Sequence, residues 1–114
     1  MDIKLITRPI EKRIDKEQLG YHEKNNLDRC YAKIIVQYSG GRSGAAWWAI
    51  EGKRLEDGDI LFFGLVRPRW YQNKSFEFFK LSEIKDLKFD YGQRGLERHR
   101  FDNSEKTINE VLFH

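Results

Sequence analysis

The chain contains few residues that crosslink or interrupt a polypeptide. It has one cysteine, Cys30, and two prolines in 114 residues. A single cysteine excludes an intramolecular disulfide, which is usual for proteins kept in a reducing compartment. Neither the first residues nor any later segment forms an apolar run long enough for a signal peptide or a membrane span. We therefore expect a soluble, cytoplasmic protein.

Side chains that bind metals or form covalent intermediates are also scarce. Besides Cys30, these are the histidines, of which there are three: His22, His99 and His114. No two of these residues have the spacing of a zinc site, so we expect neither a metal nor another cofactor. Cys30 fits a small hydrophobic residue better than a nucleophile. The chain is predicted not to be an enzyme, and a reaction using Glu51 or Glu77 with His99 is an alternative.

Charge and aromatic residues are what the chain has in quantity. Charged residues make up 34% and aromatic residues 14%, and the net charge is +3 with a pI of about 9.0. The large aromatic side chains can supply a core in one domain of this length. We assign residues 1–114 to a single domain. The mild basicity permits nucleic-acid binding without requiring it.

Hydrophobic periodicity predicts an α+β fold. Residues 7–19 are predicted to form a helix, with Ile6, Ile10 and Ile14 on one face. Strands are predicted over residues 29–38, 45–51, 60–66 and 75–81. Short connections favour antiparallel neighbours. The expected fold is a single-domain antiparallel β-meander of about four strands, with N- and C-terminal helices packed on one face.

Finer patterns within these segments predict which residues face each other. In the first strand, Ala32, Ile34, Val36 and Tyr38 alternate with Lys33 and Gln37. In the second, Trp47 and Ala49 alternate with Ala46, Trp48 and Ile50. Gly64 inside the third strand indicates a bulge or a close backbone approach.

The connecting and C-terminal segments show weaker signals. Residues 21–28 are predicted to form a polar loop. Ser82 is expected to cap a short helix over residues 83–87, and residues 88–100 to form a loop with a short extended piece. The pattern from Asp102 to Glu105 resembles a capping box. It precedes a closing helix whose apolar face comprises Ile108, Val111 and Leu112.

The most distinctive surface candidate is the 67–74 loop, which contains Arg67, Arg69, Trp70, Tyr71 and Lys74. Arginine and aromatic side chains stack on bases, contact phosphates and dominate protein–protein hot spots. The loop is interpreted either as a contact surface or as a lid whose aromatic rings cover the core. The glycine-rich 40–44 turn is interpreted as a flexible hairpin rather than a phosphate loop, because a strand and not a helix follows it.

A second basic group lies near the C-terminal end and comprises Arg94, Arg98, His99 and Arg100. If Arg98 and Arg100 alternate on an extended segment, they share one face. Together with Arg67 and Arg69 they would then form a positive patch. The alternative is a set of solvated charges balanced by neighbouring acids. The predicted binding residues are Arg67, Arg69, Trp70, Tyr71, Lys74, Arg94, Arg98 and Arg100.

Several short motifs resemble an uncharacterised family of short bacterial proteins, a domain of unknown function. These motifs are Trp47-Trp48-Ala49-Ile50-Glu51, Phe62-Phe63-Gly64-Leu65-Val66 and Phe79-Lys80-Leu81-Ser82-Glu83-Ile84, with a looser match at Gly95-Leu96-Glu97-Arg98. Such proteins are often encoded on plasmids, phages and integrated conjugative elements. The resemblance implies an accessory role in a mobile genetic element and supplies no catalytic residues. The chain departs from the family in its basic 67–74 loop.

These observations predict a small non-enzymatic binding protein of a mobile genetic element. Its expected partner is a host protein or nucleoprotein complex, and an inhibitor of a host defence system such as CRISPR or restriction is one concrete form. Direct nucleic-acid binding is the first alternative, supported by the basic residues. A small enzyme of unknown reaction is the second.

Overall fold

A computed structural model of the protein describes residues 5–99 and 106–113. The helices are α1 (Arg8–Lys16), α2 (Tyr21–Lys24), α3 (Leu81–Ile84) and α4 (Ile108–Leu112). The strands are β1 (Val36–Gly40), β2 (Ala45–Arg54), β3 (Ile60–Arg67), β4 (Ser75–Lys80), β5 (Lys88–Phe89), β6 (Arg94–Gly95) and β7 (Glu97–Arg98). Two single 3-10 turns occupy Arg29–Tyr31 and Gly41–Ser43.

The strands form an antiparallel sheet of the predicted α+β class. Its five strands have the order β4-β3-β2-β1-β7, while β5 and β6 pair separately as a hairpin. The first four strands follow one another as a meander, as their short connections predict. The edge strand β7 lies in a segment predicted to be loop with a short extended piece, and it pairs with β1 through Tyr38 and Ser39.

Each face of the sheet carries its own hydrophobic core. What we call the α1 face packs against α1 and includes Ile10, Ile14, Val36, Tyr38, Trp47, Ala49, Phe62, Val66 and Phe79. What we call the α4 face packs against α4 and includes Ala32, Ile34, Ala46, Trp48, Ile50, Leu65, Ile108 and Val111. The predicted alternation along the second strand is thus confirmed. The expectation that the terminal helices share one face is wrong, because strands buried on both sides need a cover on each.

The start of the first strand differs from its prediction. Regular pairing begins at Val36, and residues 29–31 form a 3-10 turn instead. The backbone bends at Ile35, so that Ile34 belongs to the α4 face and Val36 to the α1 face. A shift of one residue in the alternation places every later side chain of the strand on the opposite face of the sheet. Ala32 and Ile34 therefore do not share the face of Val36 and Tyr38, whereas Gln37 lies opposite Val36 and Tyr38 as predicted, on the covered α4 face, where it is only 8% exposed.

A β-bulge interrupts the pairing of the two central strands. Ala49 pairs with Gly64 and Glu51 with Phe63, which leaves Ile50 without a partner in the ladder. The bulge places Glu51 on the same face as Ile50. A β-carbon at Gly64 would lie 1.9 Å from the carbonyl oxygen of Trp48. The sequence-based expectation of a bulge or close approach at Gly64 is confirmed.

The N-terminal helix is shorter than predicted but buries the expected stripe. It ends at Lys16, and Ile10 and Ile14 are buried, with Ile6 partly buried against the same core. The predicted polar loop over residues 21–28 contains the short helix α2, which buries His22.

Two predicted helix caps have different outcomes. Lys80, not Ser82, occupies the cap position of α3, and the Ser82 hydroxyl donates instead to the Asp59 carboxylate. The proposed capping box at Asp102 lies outside the described residues. The closing helix is confirmed as α4, whose backbone is capped by the Thr107 side chain. Within the described residues, no helix is long and apolar enough to cross a membrane.

Candidate functional site at the aromatic end of the sheet

The 67–74 loop connects β3 to β4 and presents its aromatic rings to solvent. Trp70 is 69% exposed and Tyr71 is 63% exposed. The two rings pack edge-to-face, with centroids 5.5 Å apart. Rings this exposed do not cover a core, so the lid interpretation is wrong and the contact-surface interpretation fits the geometry.

The exposed loop is nevertheless held in place. The Trp70 amide donates to the Ser43 carbonyl oxygen at 2.9 Å, and the Arg67 Nε donates to the Gly44 carbonyl oxygen at 2.9 Å. Gly44 has φ +75°, and a β-carbon there would lie 2.2 Å from the Trp70 Cβ. The 40–44 turn therefore supports the loop. Glycine fits position 44 because of the positive φ and the close approach of Trp70.

The β5–β6 hairpin also packs against the 40–44 turn. The Phe89 ring contacts Gly40, and the Arg42 amide donates to the Asp90 carboxylate at 3.0 Å. This hairpin carries Tyr91, which is fully exposed. The turn thus holds the 67–74 loop and the hairpin at one end of the sheet. We call this region the aromatic end, and it comprises Arg42, Arg69, Trp70, Tyr71 and Tyr91.

The predicted binding residues do not form one continuous patch. Arg69, Trp70 and Tyr71 occupy the aromatic end, whereas Arg67 and Lys74, at the base of the loop, line a pocket on the α4 face. Arg94 lies 3.6 Å from carboxylate oxygens of both Asp90 and Glu97. Arg98 pairs with Tyr38 and so lies on the α1 face. Arg100 lies outside the described residues.

Arg98 belongs to a basic cleft between α1 and the β1–β7 edge. The cleft has a volume of about 510 Å³, and its charged or titratable lining residues are Lys12, Arg13, Lys16, Arg98 and His99. No acidic residue lines it within the described part of the chain. Arg13 is already engaged, because its guanidinium lies 2.8 Å from the Glu17 carboxylate. The cleft is suited to an anionic partner.

The residues of the enzymatic alternative lie apart from one another. The Glu51 carboxylate lies 2.7 Å from His22 Nδ1 and accepts the amides of Gly20 at 2.9 Å and His22 at 2.8 Å. Such a buried, fully bonded carboxylate anchors the 20–22 segment to β2. Glu77 bonds instead to Ser75, and His99 to Ser39. The combination of Glu51 or Glu77 with His99 is thus not assembled.

Cys30 does not start a strand but lies in a 3-10 turn. Its amide donates to the Asp28 side chain at 2.9 Å. Burial and the adjacent Asp28 carboxylate raise the pKa of the Cys30 thiol, which disfavours the reactive thiolate. Among the described residues, no group of three or more histidine, cysteine, aspartate or glutamate side chains is placed to hold a metal ion.

Two polar residues on the α4 face have no counterpart in the sequence-based prediction. Gln37 and Trp48 are cross-strand partners, and both are buried. Neither Gln37 Oε1 nor Trp48 Nε1 has a hydrogen-bond partner among the described residues. Buried polar atoms are normally bonded, so an unpartnered pair marks an exception. The sequence pattern contained no signal for it, because Gln37 was expected on a solvated face.

Comparison of the chain with protein-family models, with curated proteins and with solved structures gives no match. The resemblance to mobile-element proteins therefore stays a prediction. The aromatic end, the basic cleft and the α4 face are the regions whose geometry bears on function.

Proposed function

We propose that the chain is a non-enzymatic binding protein whose aromatic end contacts a protein or nucleoprotein complex. The observation that carries this proposal is the exposure of Trp70, 69%, and Tyr71, 63%, on a loop fixed to the rest of the fold. Tryptophan, tyrosine and arginine are the residues that dominate the binding energy of protein interfaces. Arg69 supplies the arginine beside them.

The fixed geometry of the loop supports this function further. Ordering a flexible loop on binding costs free energy that reduces affinity. Here the loop is already held by the bond from the Trp70 amide to Ser43 and by the packing of Trp70 on Gly44. A pre-ordered aromatic surface retains more of its contact energy on association.

The biological setting of this binding is proposed from the resemblance to mobile-element proteins. In that setting the partner is a host protein or nucleoprotein complex, and inhibition of a host defence system such as CRISPR or restriction is the concrete form. The basic net charge of +3 fits a partner that carries nucleic acid.

The test is affinity capture from a bacterial host lysate, followed by titration with the purified partner. We expect the wild-type chain to retain a stoichiometric partner, and the double variant Trp70→Ala, Tyr71→Ala to bind it at least about thirtyfold more weakly, as for loss of hot-spot residues. Nuclease treatment of the lysate separates a protein partner from a nucleoprotein one.

The matched control is Phe78→Ala, which removes an aromatic ring that is 64% exposed on β4, away from the aromatic end. We expect this variant to bind the partner as the wild type does. Equal binding by the double variant and the wild type would contradict the proposal, as would turnover of a small molecule with no stoichiometric partner.

Direct nucleic-acid binding is a second candidate, favoured by the basic cleft on the α1 face. Lys12, Lys16 and Arg98 line it, and no acidic residue among those that the structure describes does so. Contacts between such cations and phosphates release counterions, so binding should weaken steeply as salt rises.

Fluorescence anisotropy with single- and double-stranded oligonucleotides tests this second candidate. The variant Lys12→Glu, Lys16→Glu should abolish binding at low salt, whereas Arg69→Glu, which does not line the cleft, should reduce it only slightly. Binding that is insensitive to salt, or equally sensitive to both variants, counts against the cleft.

A further inference from the structure

A polar pocket lies on the α4 face below the base of the 67–74 loop. It has a volume of about 280 Å³, at the lower end of the range of about 300–1,000 Å³ typical of ligand sites. Its polar lining residues are Gln37, Trp48, Arg67, Lys74, Lys106 and Glu110. The size suits a small ligand or one unit of a larger one.

The floor of the pocket contains the two unpartnered polar atoms. Trp48 is 4% exposed and Gln37 is 8% exposed, yet Trp48 Nε1 and Gln37 Oε1 lack a partner among the described residues. Because the two residues pair directly across β1 and β2, their side chains emerge side by side on one face. An N–H donor and a carbonyl acceptor are thereby held side by side in two buried residues that line the pocket.

Positive charge surrounds this donor–acceptor pair. Arg67 and Lys74 come from the two ends of the loop, and Lys106 comes from the segment before α4. The Arg67 guanidinium is fixed by its bond to the Gly44 carbonyl oxygen at 2.9 Å and lies 5.5 Å from the centroid of the Trp48 ring. A guanidinium held in this way forms oriented bonds to an oxyanion without first losing side-chain freedom.

Acceptors complement these donors. Gln37 and Glu110 both line the pocket, and their oxygen atoms accept hydrogen bonds and cannot donate one to an anion. A simple carboxylate ligand has no donor for them at neutral pH. A phosphate ester with neighbouring hydroxyl groups has both the acceptors and the donors that the lining requires.

We propose that this pocket binds a sugar–phosphate unit. Arg67, Lys74 and the Trp48 indole N–H contact the phosphate oxygens, and Gln37 Oε1 with Glu110 accepts from the sugar hydroxyls. The unit can come from a free sugar phosphate or from the backbone of a nucleic acid. This proposal does not rest on the partner of the aromatic end.

The test is a titration followed by ¹⁵N–¹H NMR of the indole N–H groups of the three tryptophans. Ribose 5-phosphate at millimolar concentration should shift the Trp48 signal saturably. The signals of Trp47, on the opposite face, and Trp70, at the aromatic end, should remain in place. The Trp48→Phe variant assigns the signal, and the two other indole signals report whether that variant folds.

Two variants of the loop provide the decisive contrast. Lys74→Ala removes a charge that lines the pocket and should weaken binding about tenfold, as for loss of a charge-assisted hydrogen bond. Arg69→Ala removes an exposed charge from the same loop and should change affinity by no more than about twofold, because exposed charges are screened. Neither side chain belongs to a hydrophobic core.

Further titrations identify the source of the ligand, and two of their outcomes would overturn the proposal. Tighter binding of a short oligonucleotide than of ribose 5-phosphate, with the same dependence on Lys74, assigns the unit to nucleic acid; the reverse order assigns it to a free sugar phosphate. Absence of a saturable Trp48 shift, or equal weakening by both loop variants, overturns the proposal. The Trp70→Ala, Tyr71→Ala variant should titrate as the wild type does, which separates this outcome from that of the proposed function.

Discussion

Both faces of the sheet are buried, but they differ in how their polar side-chain atoms are bonded. On the α1 face, Tyr38, Phe62 and Phe79 form a chain of ring contacts at 6.2 and 5.4 Å, and the Tyr38 hydroxyl donates to the Leu5 carbonyl oxygen at 2.6 Å. On the α4 face, Trp48 and Gln37 each have a polar atom without a hydrogen-bond partner in the part of the chain that the structure describes. The contacts of the α1 face favour stability, whereas the unpartnered polar atoms of the α4 face lower it locally. Such local losses are typical of functional sites.

The largest expected effect compares one phenylalanine from each face. Phe62→Ala empties a fully buried position on the α1 face and should lower the free energy of unfolding by about 3–5 kcal/mol. Phe76→Ala removes a half-buried ring on the α4 face, where the Arg29 guanidinium lies 4.2 Å from its centroid, and should cost about 1–2 kcal/mol. Urea denaturation measures both. Equal losses would break the contrast between the faces.

The next effect concerns the satisfied hydroxyl of the α1 face. Tyr38→Phe leaves the Leu5 carbonyl oxygen without its donor and should lower the free energy of unfolding by about 1 kcal/mol at neutral pH. Phe62→Leu, a neighbouring change without a polar atom, serves as the packing control. A stability equal to that of the wild type would mean that the bond contributes nothing.

This difference should depend on pH. Burial raises the pKa of the Tyr38 phenol, and the charge of Arg98 offsets only part of that rise. A raised pKa means that the unfolded phenol ionises first, so the contribution of Tyr38 is complete below about pH 10 and is lost as the pH rises above it. The difference in free energy of unfolding between the wild type and Tyr38→Phe should therefore narrow between about pH 9 and about pH 11, which is one unit on each side of the ordinary tyrosine pKa. A gap that widens with pH would have the wrong sign.

On the α4 face, the corresponding polar deletion should have the opposite sign. Gln37→Met keeps the length of the side chain and removes a carbonyl oxygen that has no partner among the described residues. Stability should be unchanged or rise by up to about 1 kcal/mol, because an unsatisfied buried acceptor carries a desolvation penalty. The same variant should bind ribose 5-phosphate more weakly. A loss of stability as large as that of Tyr38→Phe would remove the distinction between the faces.

The smallest effect on stability is expected at the aromatic end, which belongs to neither core. The variant Trp70→Ala, Tyr71→Ala should unfold within about 0.5 kcal/mol of the wild type, as exposed substitutions usually do. Thermal unfolding measures this directly. A larger loss would show that the rings support the fold, and reduced partner binding could then not be read as loss of a contact.

Local sequence patterns predicted the parts of the fold that depend on local periodicity. The spacing of Ile10 and Ile14 and the alternation of Trp47 and Trp48 identify faces without knowledge of the partner element. The burial of Gln37 could not be predicted in this way. It depends on the cover of its face by α4, and the bond from the Ile34 amide to the Lys106 carbonyl oxygen joins the segment before α4 to residues distant in the chain.

The candidate site was predictable only in part for the same reason. The composition of the 67–74 loop identified Trp70 and Tyr71 as surface candidates. Their support by Gly44, and the approach of Tyr91 through the β5–β6 hairpin, depend on tertiary contacts. Strands as short as β7, Glu97–Arg98, contain too few residues for an alternation pattern. Arg98 was therefore grouped with Arg67, which lies on the α4 face, and with Arg69, which lies at the aromatic end.

The bulge at Ile50 limits where the chain can gain or lose residues. Residues added or removed in the turn between β2 and β3 leave the ladder on both sides in step, and surface turns tolerate such changes. Deletion of Ile50 would restore a regular ladder and leave Glu51 on the α4 face, opposite Phe63, but it would remove a fully buried side chain from the core of that face. The chain can thus vary in length at its turn, whereas the extra residue of the bulge places two consecutive side chains, Ile50 and Glu51, on one face and is itself part of the core.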